Sequence, residues 1–118
     1  MHFMNRMLIA AGVAFGVMAT LIPVRAEDGI KETYLTRCAS CHGPEGRGDG
    51  PSTRWLRTKP TDFHNCDEMK KLSDDTIFVA IKYGTGMIDL PPDMPGFLNR
   101  LSDREINSLG SYVLRFCR

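Results

Sequence analysis

The feature that most constrains this chain is a run of five residues, Cys38-Ala39-Ser40-Cys41-His42, which has the spacing C-x-x-C-H. Two thiols at this spacing can reach the two vinyl groups of one porphyrin and form thioethers, and the histidine that follows then lies under the iron. One helical turn would place all three side chains on the same side. The run therefore predicts one covalently attached haem c, with Cys38 and Cys41 as thioether donors and His42 as an iron ligand.

Two other kinds of site share part of this pattern. A thioredoxin-like C-x-x-C requires a βαβ context, and no alternating strand pattern is present in the sequence. A zinc site would need a second pair of ligands. His64 and Cys66 could supply that pair, but only at an unusual separation from the motif. Haem attachment is the favoured interpretation.

The N-terminal segment has the order of a secretory signal peptide. A short basic start precedes an apolar run from Met7 to Ile22, and Val24 and Ala26 stand at the −3 and −1 positions of a cleavage site. The alternative is an uncleaved anchor, but the run is shorter than the roughly 20 residues that span a bilayer. We predict that residues 1–26 are removed and that residues 27–118 form one domain in the periplasm or an equivalent extracytoplasmic compartment.

The charge of the predicted mature chain is close to neutral. Residues 27–118 contain 13 basic and 14 acidic side chains. This balance gives no basic field of the kind that attracts nucleic acid or anionic lipid. We therefore expect no nucleic-acid partner and no membrane insertion of the mature chain.

Helical periodicity predicts an all-α domain with long connecting loops. The first helix is expected over Ile30–Cys41 and ends at Gly43-Pro44, and a short turn is expected near Ser52–Leu56. The remaining chain up to Asp67 reads as loop. Ser73 caps a second helix that Gly84 ends, and the loop over Thr85–Arg100 is rich in proline. The last helix runs to the chain end; its signals are a Ser102-x-x-Glu105 capping box and an apolar stripe of Ile106, Leu109, Val113 and Phe116.

At this point the sequence resembles the small class I-type cytochromes c of bacteria that carry one haem. The resemblance covers residues 29–118 and rests on four segments, which are Cys41-His42-Gly43-Pro44-Glu45-Gly46-Arg47-Gly48-Asp49-Gly50-Pro51, Lys59-Pro60-Thr61-Asp62-Phe63, Met94-Pro95-Gly96-Phe97 and Leu101-Ser102-Asp103-Arg104-Glu105-Ile106. It implies three to five helices around one haem, with the first and last helices crossing. Here Tyr34 would meet Leu109, Tyr112 and Val113 at that crossing.

The sixth iron ligand is expected to be Met94, which Pro95 follows in a stiff loop just ahead of the last helix. In the resembling family, Met-Pro at this place supplies the thioether sulfur. Met87 is the main alternative, and Met69 is better explained as core filling. His64 would give a bis-histidine iron, although a solvated histidine is the simpler interpretation of a residue beside Asn65.

Cys66 and Cys117 remain after haem attachment. An even pair in an exported domain suggests a disulfide, and some of the resembling cytochromes also carry a cysteine at each of these two places. A bridge over the 51-residue separation would stabilise the fold by about 4 kcal/mol in the chain-entropy picture. Two free thiols or an intermolecular bridge are the alternatives.

The surroundings of the haem are predicted from the loop that follows the motif. The second ring nitrogen of His42 needs an acceptor, and the resemblance implies a carbonyl of the Gly50-Pro51 segment, with Pro44 as the alternative. The haem shell is expected to include Pro51, Arg54, Trp55, Arg57 and Lys59. The basic members of this group would otherwise form a solvated surface.

A haem iron with both axial positions filled favours electron transfer rather than catalysis. We predict a single-electron carrier that is not an enzyme, acts between redox proteins, and is a monomer or a member of a weak complex. The alternatives are a haem enzyme or nitric oxide-binding protein with an open or labile sixth site, and a fixed electron-transfer subunit of a larger redox complex.

Overall fold

The computed structural model describes residues 12–13, 15–19, 21, 26–88 and 93–117. Most of the predicted signal peptide lies outside these residues, and so do residues 89–92 of the proline-rich loop. Within the described ranges the chain forms five α-helices and no strand, as the all-α prediction requires. The helices are α1 (Ala26–Arg37), α2 (Ala39–His42), α3 (Cys66–Met69), α4 (Asp74–Tyr83) and α5 (Asp103–Leu114).

The first predicted helix is interrupted at Cys38. The predicted span was Ile30–Cys41, but α1 ends at Arg37 and Cys38 caps the four-residue helix α2. Gly43 ends α2 with a φ of +78°, a left-handed conformation that glycine adopts without a steric penalty.

The loop that follows contains one predicted turn and one helix that the sequence reading missed. Pro51–Trp55 forms a 3-10 turn, one residue earlier than the predicted Ser52–Leu56. The helix α3 overlaps the segment read as loop. It is a single turn of four residues, and it begins where the side chain of Asn65 accepts a hydrogen bond from the Glu68 amide. A helix this short does not show a hydrophobic periodicity in the sequence.

The caps of α4 and α5 agree with the sequence. Ser73 accepts from the Thr76 amide at the start of α4. Ser102 and Glu105 form both bonds of a capping box at the start of α5. The last helix ends at Leu114, earlier than the predicted chain end, because a 3-10 turn over Arg115–Cys117 replaces its final turn.

The core lies where α1 and α4 pack against α5. Tyr34 of α1 is buried with Leu109 and Val113, and its ring centroid lies 5.1 Å from that of Tyr112. Its hydroxyl donates to the Gly43 carbonyl at 2.7 Å, which ties α1 to the end of α2. The predicted contact between the first and last helices is therefore present.

The described part of the proline-rich loop returns to the end of α4. Gly84 pairs with Pro95 in an antiparallel bridge, and the Phe97 amide donates to the Ile81 carbonyl at 3.0 Å. Gly84 has a φ of +84°, and a Cβ there would lie 2.7 Å from the Met94 carbonyl oxygen. A side chain at position 84 would force the two segments apart.

Within the described residues, none of the helices has the length and apolar character needed to cross a membrane.

Substitution of two glycines should change stability in opposite directions. We expect Gly84→Ala to lower the free energy of unfolding by roughly 1–2 kcal/mol from backbone strain alone, with a further loss from the clash at Met94. Gly29→Ala is the matched control, since it lies inside α1 and its new Cβ would meet no atom within 4 Å. It should raise stability by about 0.5–1 kcal/mol. Urea unfolding of both variants measures this, and equal shifts would contradict the account.

Candidate cofactor site

The C-x-x-C-H run forms one tight turn that faces a cleft. The amides of Cys41 and His42 both donate to the Cys38 carbonyl, at 3.2 and 2.9 Å. Cys38, Cys41 and His42 then line the same cavity, and the two cysteines are free thiols. The spacing therefore places its three functional side chains on one side, as predicted.

The cleft has two adjoining lobes, with cavity volumes of about 110 and 200 Å³. Cys38, His42, Thr61, Thr85 and Met94 border both lobes. The first lobe penetrates between the helices, where its wall includes Tyr34, Met69, Ile77, Ile81 and Leu109. The second lobe opens beside the motif, and its wall includes Arg37, Leu56, Lys59, Asp93 and Phe97. An apolar interior with polar groups near one side suits a flat apolar group that carries charged substituents.

His42 is held in an apolar environment. Burial lowers the pKa of His42 to about 4, so the imidazole is neutral at pH 7 and has a lone pair available for a metal. Its Nδ1 is buried and lacks a hydrogen-bond partner. The ring stacks on Phe63 with centroids 4.8 Å apart and an angle of 17° between the planes.

The predicted acceptor for His42 is not in place. Gly50 packs directly on the turn of the motif, where an added Cβ would lie 2.3 Å from the Ser40 carbonyl oxygen. The Gly50 carbonyl accepts instead from Thr53, from the amide at 3.0 Å and from the hydroxyl at 2.7 Å. The segment serves to pack and cap the 3-10 turn, and the expected bond from Nδ1 to the Gly50-Pro51 segment is absent; Pro44 does not supply it either.

The Cys38 thiol is also partly buried, and burial raises its pKa to about 11. The site therefore combines two thiols, a neutral imidazole and the thioether of Met94 around one apolar cleft. This donor set fits haem c, because thioethers form from thiols, and imidazole and methionine sulfur are ligands of haem iron.

Met94 is fixed on the border of both lobes. Its amide donates to the Thr85 hydroxyl at 3.3 Å, and its carbonyl accepts from the Thr85 amide at 3.2 Å. Met87 lies on neither lobe and its side chain is 73% exposed. Met69 is buried in the core and lines the first lobe but not the second; its role as core filling stays a prediction.

The other candidate ligands lie away from the cleft. His64 Nε2 is 2.7 Å from the Glu45 carbonyl oxygen. The structure brings the sulfur atoms of Cys66 and Cys117 into bonding contact, with Cα atoms 5.3 Å apart, within the usual range for a disulfide. In the described ranges, His, Cys, Asp and Glu side chains form no group of three that could hold a metal ion.

Only one member of the predicted haem shell borders the cleft. Lys59 lines the second lobe, whereas Pro51, Arg54, Trp55 and Arg57 line neither lobe. Trp55 is 78% exposed and lies beside the Arg54 guanidinium. Arg57 reaches Asp93 instead, at 3.5 Å. The 3-10 turn over Pro51–Trp55 directs its side chains outward. The residue types in a loop do not predict which of its side chains will face a cleft.

Several lining residues were missed by the sequence reading. Thr61 and Phe63 belong to a segment that carries the resemblance but were not predicted to line the site, and Arg37 precedes the motif directly. Thr85 is the first residue of the proline-rich loop, and Asp93 is the first residue described after positions 89–92. The position of Arg37 next to Cys38 is the one local signal that could have identified a cleft residue.

Comparison with known proteins gives a match to one family and matches to solved structures, two of which are described here. The family described as "Cytochrome C oxidase, cbb3-type, subunit III" matches residues 25–113. The solved structure of the c-type cytochrome KustC0563 is similar with a TM-score of 0.60 and 26% identity, over 75% of this chain and 96% of that chain. A chain of the Kuenenia stuttgartiensis reducing HAO-like protein complex Kustc0457/Kustc0458 is similar with a TM-score of 0.60 and 29% identity, over 82% of this chain and 48% of that chain. No curated protein sequence matches significantly.

Proposed function

Because the chain belongs to the family of c-type cytochromes described as cytochrome c oxidase, cbb3-type, subunit III, we propose that it carries single electrons between redox proteins. The chain has the cytochrome c fold and binds haem c covalently. When bound, haem c supplies an iron that gains or loses one electron. Cys38 and Cys41 would form the thioethers that hold the haem, and His42 and Met94 would bind its iron.

The observation that carries this proposal is the shared border of the two lobes. His42 and Met94 both line each lobe, and Cys38 lies beside them. Met87, the alternative sixth ligand, is exposed and borders neither lobe. A bound ligand on each side of the iron leaves no coordination position open for a substrate, which favours electron transfer over catalysis.

The residues around the cleft keep the site dry and ordered. The apolar side chains of α4 and α5 exclude water from the first lobe. On the other side, the Thr58 amide donates to Asp93 at 3.2 Å, next to Met94. Neutral His42 needs no proton release before it donates its lone pair, because its pKa lies well below 7.

A fixed electron-transfer subunit is the second candidate function. The family carries the description of an oxidase subunit, and one structural neighbour belongs to a protein complex. The site chemistry would be identical in both cases, and only the lifetime of the partner contact would differ. Size-exclusion chromatography of the native protein from its host separates a free carrier of 13.2 kDa or less from a stable complex.

The compartment and the processing are part of the same proposal. We infer export of the chain and removal of residues 1–26, because haem attachment to C-x-x-C-H in bacteria takes place outside the cytoplasm. The partners would then be extracytoplasmic redox proteins. N-terminal sequencing of the haem-bearing protein checks the cleavage site after Ala26.

Loss of the Met94 thioether should be visible in the optical spectrum. We expect wild-type ferric protein to show the weak near-infrared band of sulfur-to-iron charge transfer. Met94→Ala should lose this band and lower the reduction potential on the order of 0.1 V or more, within the ~0.8 V range that axial ligands set.

Met87→Ala is the matched control and should keep the band. High-spin ferric iron in the wild type, or cyanide binding that displaces no ligand, would contradict the carrier function and favour an enzyme or a gas-binding protein.

Lys59 should influence the reduction potential by charge. A positive side chain on the cleft stabilises the reduced iron, which carries one positive charge fewer. Lys59→Ala should therefore lower the potential, and the effect should weaken at high salt. Arg54→Ala is the control, because it removes the same charge from a position in the same loop that borders neither lobe. Spectroelectrochemical titration should show the larger shift for Lys59→Ala, and equal shifts would exclude a role specific to the cleft.

We also propose that Cys66 and Cys117 form an intramolecular disulfide. The placement of their Cα atoms supports the bridge. The double variant Cys66→Ser/Cys117→Ser should lose about 4 kcal/mol of unfolding free energy or less. Peptide mapping without reductant should recover the two segments as one linked peptide, and alkylation of both thiols in unreduced protein would disprove the bridge.

A further inference from the structure

His42 has an aromatic neighbour where a hydrogen bond was expected. Histidines that bind metals usually donate their second ring N–H to an acceptor, which fixes the orientation of the ring. Here Nδ1 is buried without a partner. The plane of the imidazole lies instead against the ring of Phe63, at a centroid distance of 4.8 Å and an angle of 17°.

Phe63 is held firmly enough to orient another ring. Its amide donates to the Gly46 carbonyl at 2.8 Å. Towards the C-terminal turn, the centroid of its ring lies 6.1 Å from the centroid of the Phe116 ring, and the angle between the two ring planes is 24°. The Cys117 sulfur lies 3.0 Å from the Phe63 carbonyl oxygen, so backbone and ring are both in contact with neighbouring segments.

Gly46 makes this close arrangement possible. Its φ is +69°, and an added Cβ would lie 2.9 Å from both the Phe63 and the Phe116 rings. Any side chain at position 46 would therefore separate the two rings. Three rings follow one another, those of His42, Phe63 and Phe116, and each neighbouring pair is near-parallel. Gly46 lies beside the Phe63 and Phe116 rings.

We propose that Phe63 is a positioning residue for His42. The stacked ring fixes the plane of the imidazole, in the role that a carbonyl acceptor would otherwise have. The inference rests on the proposed function, in which His42 is an iron ligand. The orientation of the imidazole plane determines which iron d orbital overlaps with it, and this orientation has a direct spectroscopic signature in low-spin ferric haem.

The test compares four variants of the haem-bearing protein. Phe63→Leu removes the flat ring and keeps an apolar side chain, whereas Phe63→Tyr keeps the ring. Phe78→Leu is the matched control, because it makes the same change at a half-buried phenylalanine of α4 that borders neither lobe. The readouts are the ferric EPR g values and the pattern of paramagnetically shifted haem methyl resonances in NMR spectra.

We expect Phe63→Leu to shift the g values and to reorder or compress the spread of the haem methyl shifts. Phe63→Tyr should keep the wild-type pattern, and Phe78→Leu should leave it unchanged. Phe116→Leu, which loosens Phe63 without removing it, should give a smaller change in the same direction.

Unchanged g values and methyl shifts in Phe63→Leu would overturn the proposal, and so would an equal change in Phe78→Leu. This failure is distinct from failure of the proposed function. Loss of the proposed axial ligation would appear in the wild type, as high-spin iron or a missing near-infrared band, before any substitution at Phe63.

Discussion

The structure depends on an apolar cleft that its own side chains do not fill. Protein interiors are normally packed to the density of organic crystals, but here α1, α4 and α5 pack around two adjoining lobes. The turn of Cys38–His42 forms one wall and Met94 lies on the border of both lobes. A covalently held haem completes this core, and a predicted mature domain of about 90 residues gains the large apolar group that its short helices lack.

Sequence reading succeeded where the signals are local. The turn of the C-x-x-C-H motif, the Ser102–Glu105 capping box and the stop at Gly84 each depend on a few neighbouring residues. It was less accurate where tertiary contacts decide the outcome. Lys59 and Trp55 belong to one loop and are both exposed, but only Lys59 borders the second lobe, because the 3-10 turn and the packing of the chain set their positions.

At His42, a stacked aromatic ring is found where a hydrogen bond was expected. The Gly50 carbonyl was expected to orient His42, but two bonds from Thr53 already occupy it. The imidazole of His42 stacks instead on the Phe63 ring. Phe63 fits there because Gly46 has no side chain, and its ring also contacts Phe116 of the C-terminal turn. The last residues of the fold are thus connected by ring contacts to the C-x-x-C-H motif near its start.

The attachments on the two sides of Met94 have a consequence for the rate of electron exchange. Pro95 is paired with Gly84, and Asp93 accepts from the Thr58 amide. With both neighbours anchored, the Met94 thioether is held in a nearly fixed position at the edge of the cleft. Under the ligation proposed above, this anchoring would keep the inner-sphere reorganisation energy small, and the distance to the partner and the difference in potential would then govern how fast an electron crosses.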